Sequence, residues 1–192
     1  LSLHDALPIL LGNGDASFGA PGEYETGVFP AAAVISDFNA DGKLDVVTAD
    51  NGSGQVSVLF GTGTGAFFSH IDYFCGADPT ALAVGDLEQD GRPDLVVANA
   101  FTNSVFVMLG QDDGTFLPGP GPGGGEFFVG LDPISIAIAD FNSDATPDIV
   151  TANFDAGTVS VIPGVGDGTF PLRFDIPIGF QPYHVTAVDM SQ

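Results

Sequence analysis

Asp37-Phe38-Asn39-Ala40-Asp41-Gly42-Lys43-Leu44-Asp45 decides how this chain is read, because it returns twice. Asp86-Leu87-Glu88-Gln89-Asp90-Gly91-Arg92-Pro93-Asp94 and Asp140-Phe141-Asn142-Ser143-Asp144-Ala145-Thr146-Pro147-Asp148 keep oxygen-bearing side chains at loop positions 1, 3, 5 and 9. Glycine stands at position 6 in the first two copies and Ala145 in the third. A short turn studded with carboxylates can supply the six to eight oxygens, at about 2.3–2.6 Å, that a hard cation such as calcium requires. Asp, Asn and Gly are also ordinary turn formers. A plain turn, however, does not need acids at four fixed positions three times over.

The recurrence extends beyond the loops. Pro30, Pro79, Pro133 and Pro182 are 49, 54 and 49 residues apart, and Phe18, Phe67, Phe116 and Phe170 are 49, 49 and 54 apart. The five additional residues fall between Phe116 and Pro133, where a Gly/Pro run at 118–125 is expected to form a flexible loop. A period of about 50 residues in β-type sequence is the signature of propeller blades or a similar array. Four short strands are expected per period. A small-residue strand (81–86) runs into the acidic loop, a nearly continuous apolar run (94–99) leaves it, and a third run follows at 104–109. Continuous apolar runs suit strands covered on both faces. The fourth strand, such as 67–75, alternates, and Glu23, Asp72, Glu126 and Asp175 share one repeat position there. A recurring charge suits an outer edge strand; a ring of catalytic acids is the sharper alternative.

The unit Asp-Phe-Asn-x-Asp-Gly-x-x-Asp-Val-Val-Thr-Ala, followed by Val-Ser-Val-Leu-x-Gly-x-Gly-x-Gly-x-Phe, resembles the VCBS/FG-GAP repeat family. That family includes the calcium-binding blades of the integrin α-chain propeller. The resemblance runs from about Ile9 to Asp189. It implies an all-β fold, a β-propeller of four-stranded antiparallel sheets, commonly seven-bladed, with calcium in the hairpin between the first and second strands. It also implies ligands on the opposite face, without specifying them. On this frame residues 1–29 end a preceding blade with its third and fourth strands, Leu1 to Leu7 not fitting the repeat. Residues 30–78, 79–132 and 133–181 are three full blades, the second carrying the Gly/Pro insert, and 182–192 open another with its first strand. About four blades' worth of chain is expected to be part of a larger propeller, with closure as four blades the alternative.

The expected metal ligands follow from the loop positions. Asp37, Asn39, Asp41 and Asp45 would act with the Lys43 carbonyl, and the lysine side chain is expected to point away. Asp86, Glu88, Asp90 and Asp94 would act with the Arg92 carbonyl, Glu88 being one methylene longer than its counterparts. Asp140, Asn142, Asp144 and Asp148 would act with the Thr146 carbonyl. About three calcium ions in a structural role are expected. If position 6 needs positive φ, Ala145 costs about 1 kcal/mol, making the third site the weakest.

Composition narrows the partners. Acids outnumber basic residues 25 to three, for a formal charge of −22, which argues against nucleic acid and anionic membrane. Hydrophobic residues make up 44% of the chain, so a packed core is expected rather than disorder. No stretch approaches the roughly 20 apolar residues needed to cross a bilayer. Cys75 is the single cysteine and is read as buried, with calcium rather than disulfide as the staple. Calcium sites of extracellular modules bind at about 10⁻⁴–10⁻³ M, so an extracellular or cell-surface setting is expected. The favoured reading is an adhesion or interaction module for a protein or glycan, whose other partners are the remaining blades of a propeller or a protein completing the ring.

Enzyme signals are thin. His4, His70 and His184 show no metal or triad spacing, and Gly61-Thr62-Gly63-Thr64-Gly65 is a repeated hairpin turn with no following Gly-Lys-Ser/Thr. The alternative is a propeller domain of a polysaccharide lyase or hydrolase, with Asp155 as the acid that breaks the repeat, or a lectin. Phe101 and Phe154 are the aromatics expected on the ligand face, or else in blade contacts.

Overall fold

The computed structural model describes residues 6–188, and the described chain is built from β-strands without helices. The first sheet pairs β1 (Ala6–Ile9) with β2 (Gly22–Glu25). The second runs in chain order through β3 (Pro30–Ser36), β4 (Asp45–Asp50), β5 (Gln55–Leu59) and β6 (Ile71–Phe74). The third comprises β7 (Pro79–Gly85), β8 (Asp94–Asn99) and β9 (Ser104–Gly110), with β10 (Phe116–Pro118) and β11 (Glu126–Phe128) both on β9. The fourth orders β12 (Pro133–Ala139), β13 (Asp148–Asn153), β14 (Thr158–Ile162) and β15 (Phe174–Pro177). Every pairing is antiparallel, no sheet closes on itself, and each acidic loop joins the first strand of a sheet to the second.

The second strands explain the stacking. All six residues of β4, β8 and β13 are buried, each strand lying between the first and third strands of its own sheet and packing against a neighbouring sheet. The small residues of β3, β7 and β12 let these first strands approach one another. Between the second and third sheets, Phe116 enters edge-on between Phe38 (5.5 Å) and Tyr73 (5.8 Å). Phe170 of the fourth sheet meets Phe127 of the third at 5.3 Å. Truncating such a ring costs about 3–5 kcal/mol. The result is an all-β stack of successive propeller blades, a partial β-propeller.

Three details depart from the expected pattern. Ala6 and Leu7 belong to β1, Leu7 pairing with Tyr24, because Leu7 supplies the apolar side chain that Val56 supplies one repeat later. Residues 182–188 form no strand. They rest on the fourth sheet through the Val185 N–H to Ser135 Oγ (3.2 Å) and a Phe154–Tyr183 edge contact at 5.0 Å. The Gly/Pro insert is pinned rather than loose. Val107 accepts from the Gly119 N–H (2.9 Å) and donates to the Gly125 carbonyl (2.8 Å), so the extra residues loop out between β10 and β11.

A buried polar string runs across the second and fourth sheets, and the third departs from it. Asn153 donates to Ser160 Oγ (2.8 Å) and accepts from Thr151 Oγ1 (2.8 Å), and Ser160 then donates to Asp175 (2.7 Å). Asp50 takes the place of that asparagine in the second sheet. Ser57 has one hydroxyl proton for two carboxylates, Asp50 at 2.6 Å and Asp72 at 2.8 Å. Burial pushes the Asp50 carboxyl above the ordinary aspartate range, and Asp72 adds to the shift against hydrogen bonds from Ser57 and Thr48. In the third sheet Val97 replaces the threonine, and Asn99 Oδ1 is left buried without a partner.

Two substitutions test this string. Asp50→Asn lets residue 50 donate to Ser57 and frees the serine proton for Asp72, so it should stabilise the fold at neutral pH by about 1 kcal/mol. The raised folded-state pKa means that wild-type stability falls as pH rises through it. The gain from Asp50→Asn should therefore shrink as pH falls through the raised Asp50 pKa and that carboxyl takes up a proton; urea melts at several pH values check this. Val97→Thr should supply the missing donor to Asn99 and stabilise by about 1 kcal/mol, opposite to the usual cost of a core hydroxyl.

Candidate metal centre

Each acidic loop is organised by its own carboxylates. In the first, Asp37 accepts from the N–H groups of Asp41 (3.1 Å) and Gly42 (2.8 Å), Asn39 also accepts from Asp41 (3.1 Å), and Asp41 accepts from Lys43 (2.9 Å). The third loop repeats the pattern: Asp140 takes the N–H groups of Asp144 (3.2 Å) and Ala145 (2.9 Å), Asn142 that of Asp144 (2.8 Å), and Asp144 that of Thr146 (2.8 Å). The second keeps Asp86 on Asp90 and Gly91 (both 2.9 Å) and Asp90 on Arg92 (2.9 Å). Glu88 does not join that set. Its longer chain leans toward Gly168 of the next sheet, and burial, with Asp90 nearby, raises its carboxyl.

The position-9 aspartates do something different. Asp45 is fully buried and accepts from the N–H groups of Phe38 (2.9 Å) and Gly61 (2.8 Å). Asp94 does the same with Leu87 (2.7 Å) and Gly110 (2.8 Å), and Asp148 with Phe141 (2.8 Å) and Gly164 (3.0 Å). Burial raises the carboxyl of Asp45, and that of Asp94 to about 6. These residues tie the loop to the end of the third strand. The first glycine of the following turn is required there, because a Cβ on Gly61, Gly110 or Gly164 would lie 2.1–2.3 Å from a carbonyl oxygen of residue 44, 93 or 147.

The position-7 side chains also differ from expectation. Lys43 does not point away: its Nζ lies 2.9 Å from Asp41 Oδ2, and that contact holds the Asp41 carboxyl below its ordinary value. Arg92 likewise folds onto Asp90 and reaches Asp112 at 3.1 Å. Thr146 donates to Asp144 instead, lowering that carboxyl. In a chain this poor in cations the nearest carboxylate captures the lysine or arginine.

The residues at positions 1, 3 and 5 suit a hard cation chemically. They are oxygen donors gathered around the N–H groups of the same short turn, and Asp37 and Asn39 oxygens that accept one hydrogen bond retain a second lone pair, whereas Asp140 Oδ1 and Asp144 Oδ1 each already accept two. Among the described residues, no three His, Cys, Asp or Glu side chains already converge tightly enough to form a metal cluster. Cys75 offers no ligand, since burial pushes its thiol up to about 12. His70 sits 3.5 Å from Asp72, His184 lies 3.1 Å from Ser135, and His4 lies outside the described residues.

Backbone conformation ranks the loops. Position 6 has positive φ throughout: Gly42 at 81°, Gly91 at 85° and Ala145 at 69°. A Cβ at Gly42 or Gly91 would meet nothing within 4 Å, so the constraint is the dihedral alone. Ala145→Gly should therefore relieve the third loop, raising stability by up to about 1 kcal/mol and the midpoint by roughly 2–4 °C in a thermal melt.

Comparison with known proteins agrees with this architecture. A candidate 6-phosphogluconolactonase from Bacteroides fragilis superposes with a TM-score of 0.62 at 18% identity, over 90% of this chain and 44% of that one. BBS1N, solved in complex with ARL6DN, superposes with a TM-score of 0.58 at 14% identity, over 95% of this chain and 57% of that one. The chain thus spans about half the length of these structures, and the likeness is one of fold. No curated protein matches it. The model of the FG-GAP-like repeat matches residues 37–97 and 86–151, more than half of the sequence, with all three acidic loops inside the match. The chain belongs to the FG-GAP-like repeat family.

Proposed function

We propose that this chain is a calcium-stabilised β-propeller repeat module of a secreted or cell-surface protein, mediating adhesion through a protein or glycan ligand. The observation that carries the reading is the repeated loop geometry, in which position 1 accepts from the N–H of position 5 in every loop, position 3 shares that N–H in the first and third, and position 5 accepts from the N–H of position 7. Asp37, Asn39 and Asp41, Asp86 and Asp90, and Asp140, Asn142 and Asp144 would hold the ions, with the carbonyls of Lys43, Arg92 and Thr146. Bound calcium would supply positive charge against carboxylates that otherwise repel one another. Asp45, Asp94 and Asp148 serve chiefly as anchors of the loop frame, and Glu88 is the weakest donor.

With the hairpins stiffened at one end of the sheets, recognition falls to the opposite end. The turns there carry Phe101, which is 78% exposed, and Phe154, which packs on the exposed Tyr183. BBS1N, a structural neighbour, is itself solved with a protein partner, a use of the fold consistent with an interaction module.

A thermal melt in calcium, magnesium and chelator tests the metal reading. Calcium should raise the midpoint by several degrees where magnesium does not, because magnesium demands tight octahedral geometry. Asp37→Ala and Asp140→Ala should each remove one ion from a calorimetric titration of about three. An unchanged midpoint in calcium, with the chain folded in chelator, would sink the proposal.

A further inference from the structure

Two peptide bonds of this chain join aspartate to proline, Asp78–Pro79 and Asp132–Pro133, and each stands where the chain enters the first strand of a sheet, β7 or β12. Phe29–Pro30 and Gln181–Pro182 hold the same place in their repeats without a carboxyl. Every residue before these prolines has positive φ: Phe29 at 55°, Asp78 at 62°, Asp132 at 56° and Gln181 at 41°. A residue before proline favours an extended backbone, and a left-handed conformation without glycine is strained wherever tertiary contacts impose it. At Asp132 those contacts are explicit. Its N–H donates to Asn103 Oδ1 (2.9 Å), its carbonyl accepts from the Phe154 N–H (2.8 Å), and Pro133 is buried at the head of β12.

An aspartyl carboxyl lies one five-membered ring from its own backbone carbonyl carbon. Before most residues the competing route is attack on the side chain by the next backbone nitrogen, but proline has no N–H to lose. What is left is attack of the carboxyl oxygen on the carbonyl carbon, with the proline nitrogen as leaving group. A backbone N–H aimed at the carbonyl oxygen stabilises the charge that develops there, and Asp132 has that donor in Phe154. The Asp132 side chain has no hydrogen-bond partner among the described residues. Asp78 also has a donor on its carbonyl, the Ala100 N–H at 3.0 Å, but its carboxylate is held by the Asn51 amide and must leave it before it can react.

The geometry points to Asp132–Pro133 as a self-cleaving bond of the folded protein, opened in mild acid by the Asp132 side chain. The neutral carboxyl bonds through its oxygen to the Asp132 carbonyl carbon, the bond from that carbon to Pro133 N breaks, and the carboxyl proton passes to the proline nitrogen. The cyclic anhydride so formed takes up one water and becomes the two carboxyl groups of a C-terminal Asp132; nothing is oxidised or reduced. Burial raises the Asp132 carboxyl above the ordinary aspartate range, and Asp155 and Asp78, the charged groups that act on it, add to the shift. The reactive neutral form therefore appears in milder acid than for an exposed aspartate, and the rate rises as pH falls through that value and levels off below it. Cleavage severs the chain between the third and fourth sheets, which remain joined by packing such as Phe127 on Phe170. None of this depends on the calcium reading.

The test is incubation of the full chain at about pH 5, with circular dichroism confirming the fold, followed by intact-mass spectrometry. Fragments 1–132 and 133–192 are expected, formed at least about tenfold faster than from the same chain unfolded in urea at that pH. Cleavage at 78–79 should be slower and none should occur at 29–30. Asp132→Glu keeps the acid but enlarges the ring, and should slow the reaction at least about tenfold. Asp155→Asn should retain cleavage and move its pH midpoint down. Absence of fragments, equal rates in the folded and urea-unfolded chain, or undiminished cleavage in Asp132→Glu would overturn the proposal. The comparison of folded with unfolded chain needs no substitution, so the outcome stands even if a variant folds poorly.

Discussion

The buried aspartate at the end of each acidic loop is the constraint on which the rest of the structure depends. Asp45 binds one N–H seven residues behind it and another sixteen residues ahead, at Phe38 and Gly61. The first fixes the residue whose ring enters the neighbouring sheet; the second fixes the close of the third strand. A single carboxylate thereby couples loop shape, strand register within a sheet and contact between sheets. Asp94 and Asp148 repeat the device, which makes each sheet a copy in mechanism as well as in outline.

Much of this was legible in the sequence. The regular prolines, phenylalanines and acidic loops define the period, and the apolar run after each loop marks the strand that must be covered twice. Local patterns of this kind carry their meaning within a few residues. What stayed hidden depends on partners far away in sequence. The anchoring role of position 9 is not visible in the loop itself, because the glycine N–H that it binds belongs to a different turn. The acids Asp72 and Asp175 read as edge charges because the serines they accept from, Ser57 and Ser160, stand on the adjacent strand. Positive φ at Ala40, Gln89 and Ser143 carried no glycine to announce it.

The repeats also show how far chemistry can drift while geometry holds. One position is Asp50, Asn99 or Asn153, and the serine beside it must serve a second carboxylate in one sheet but an amide in another. The hydrogen-bonding partners change, yet all three residues remain buried at the end of a second strand. Backbone ladders and apolar contact set the frame, and the polar string adapts within it.

The insert at Val107 carries a different lesson. Five residues enter the outermost strand, and both flanks return to the same strand in antiparallel pairing. The first two strands keep their lengths, β9 is two residues longer than β5 and β14, and all three keep their register. Repeat length and repeat geometry are therefore separable quantities here. The periphery acts as a slack reservoir, able to acquire sequence without informing the axis, and diversity among such repeats should accumulate from the rim inward.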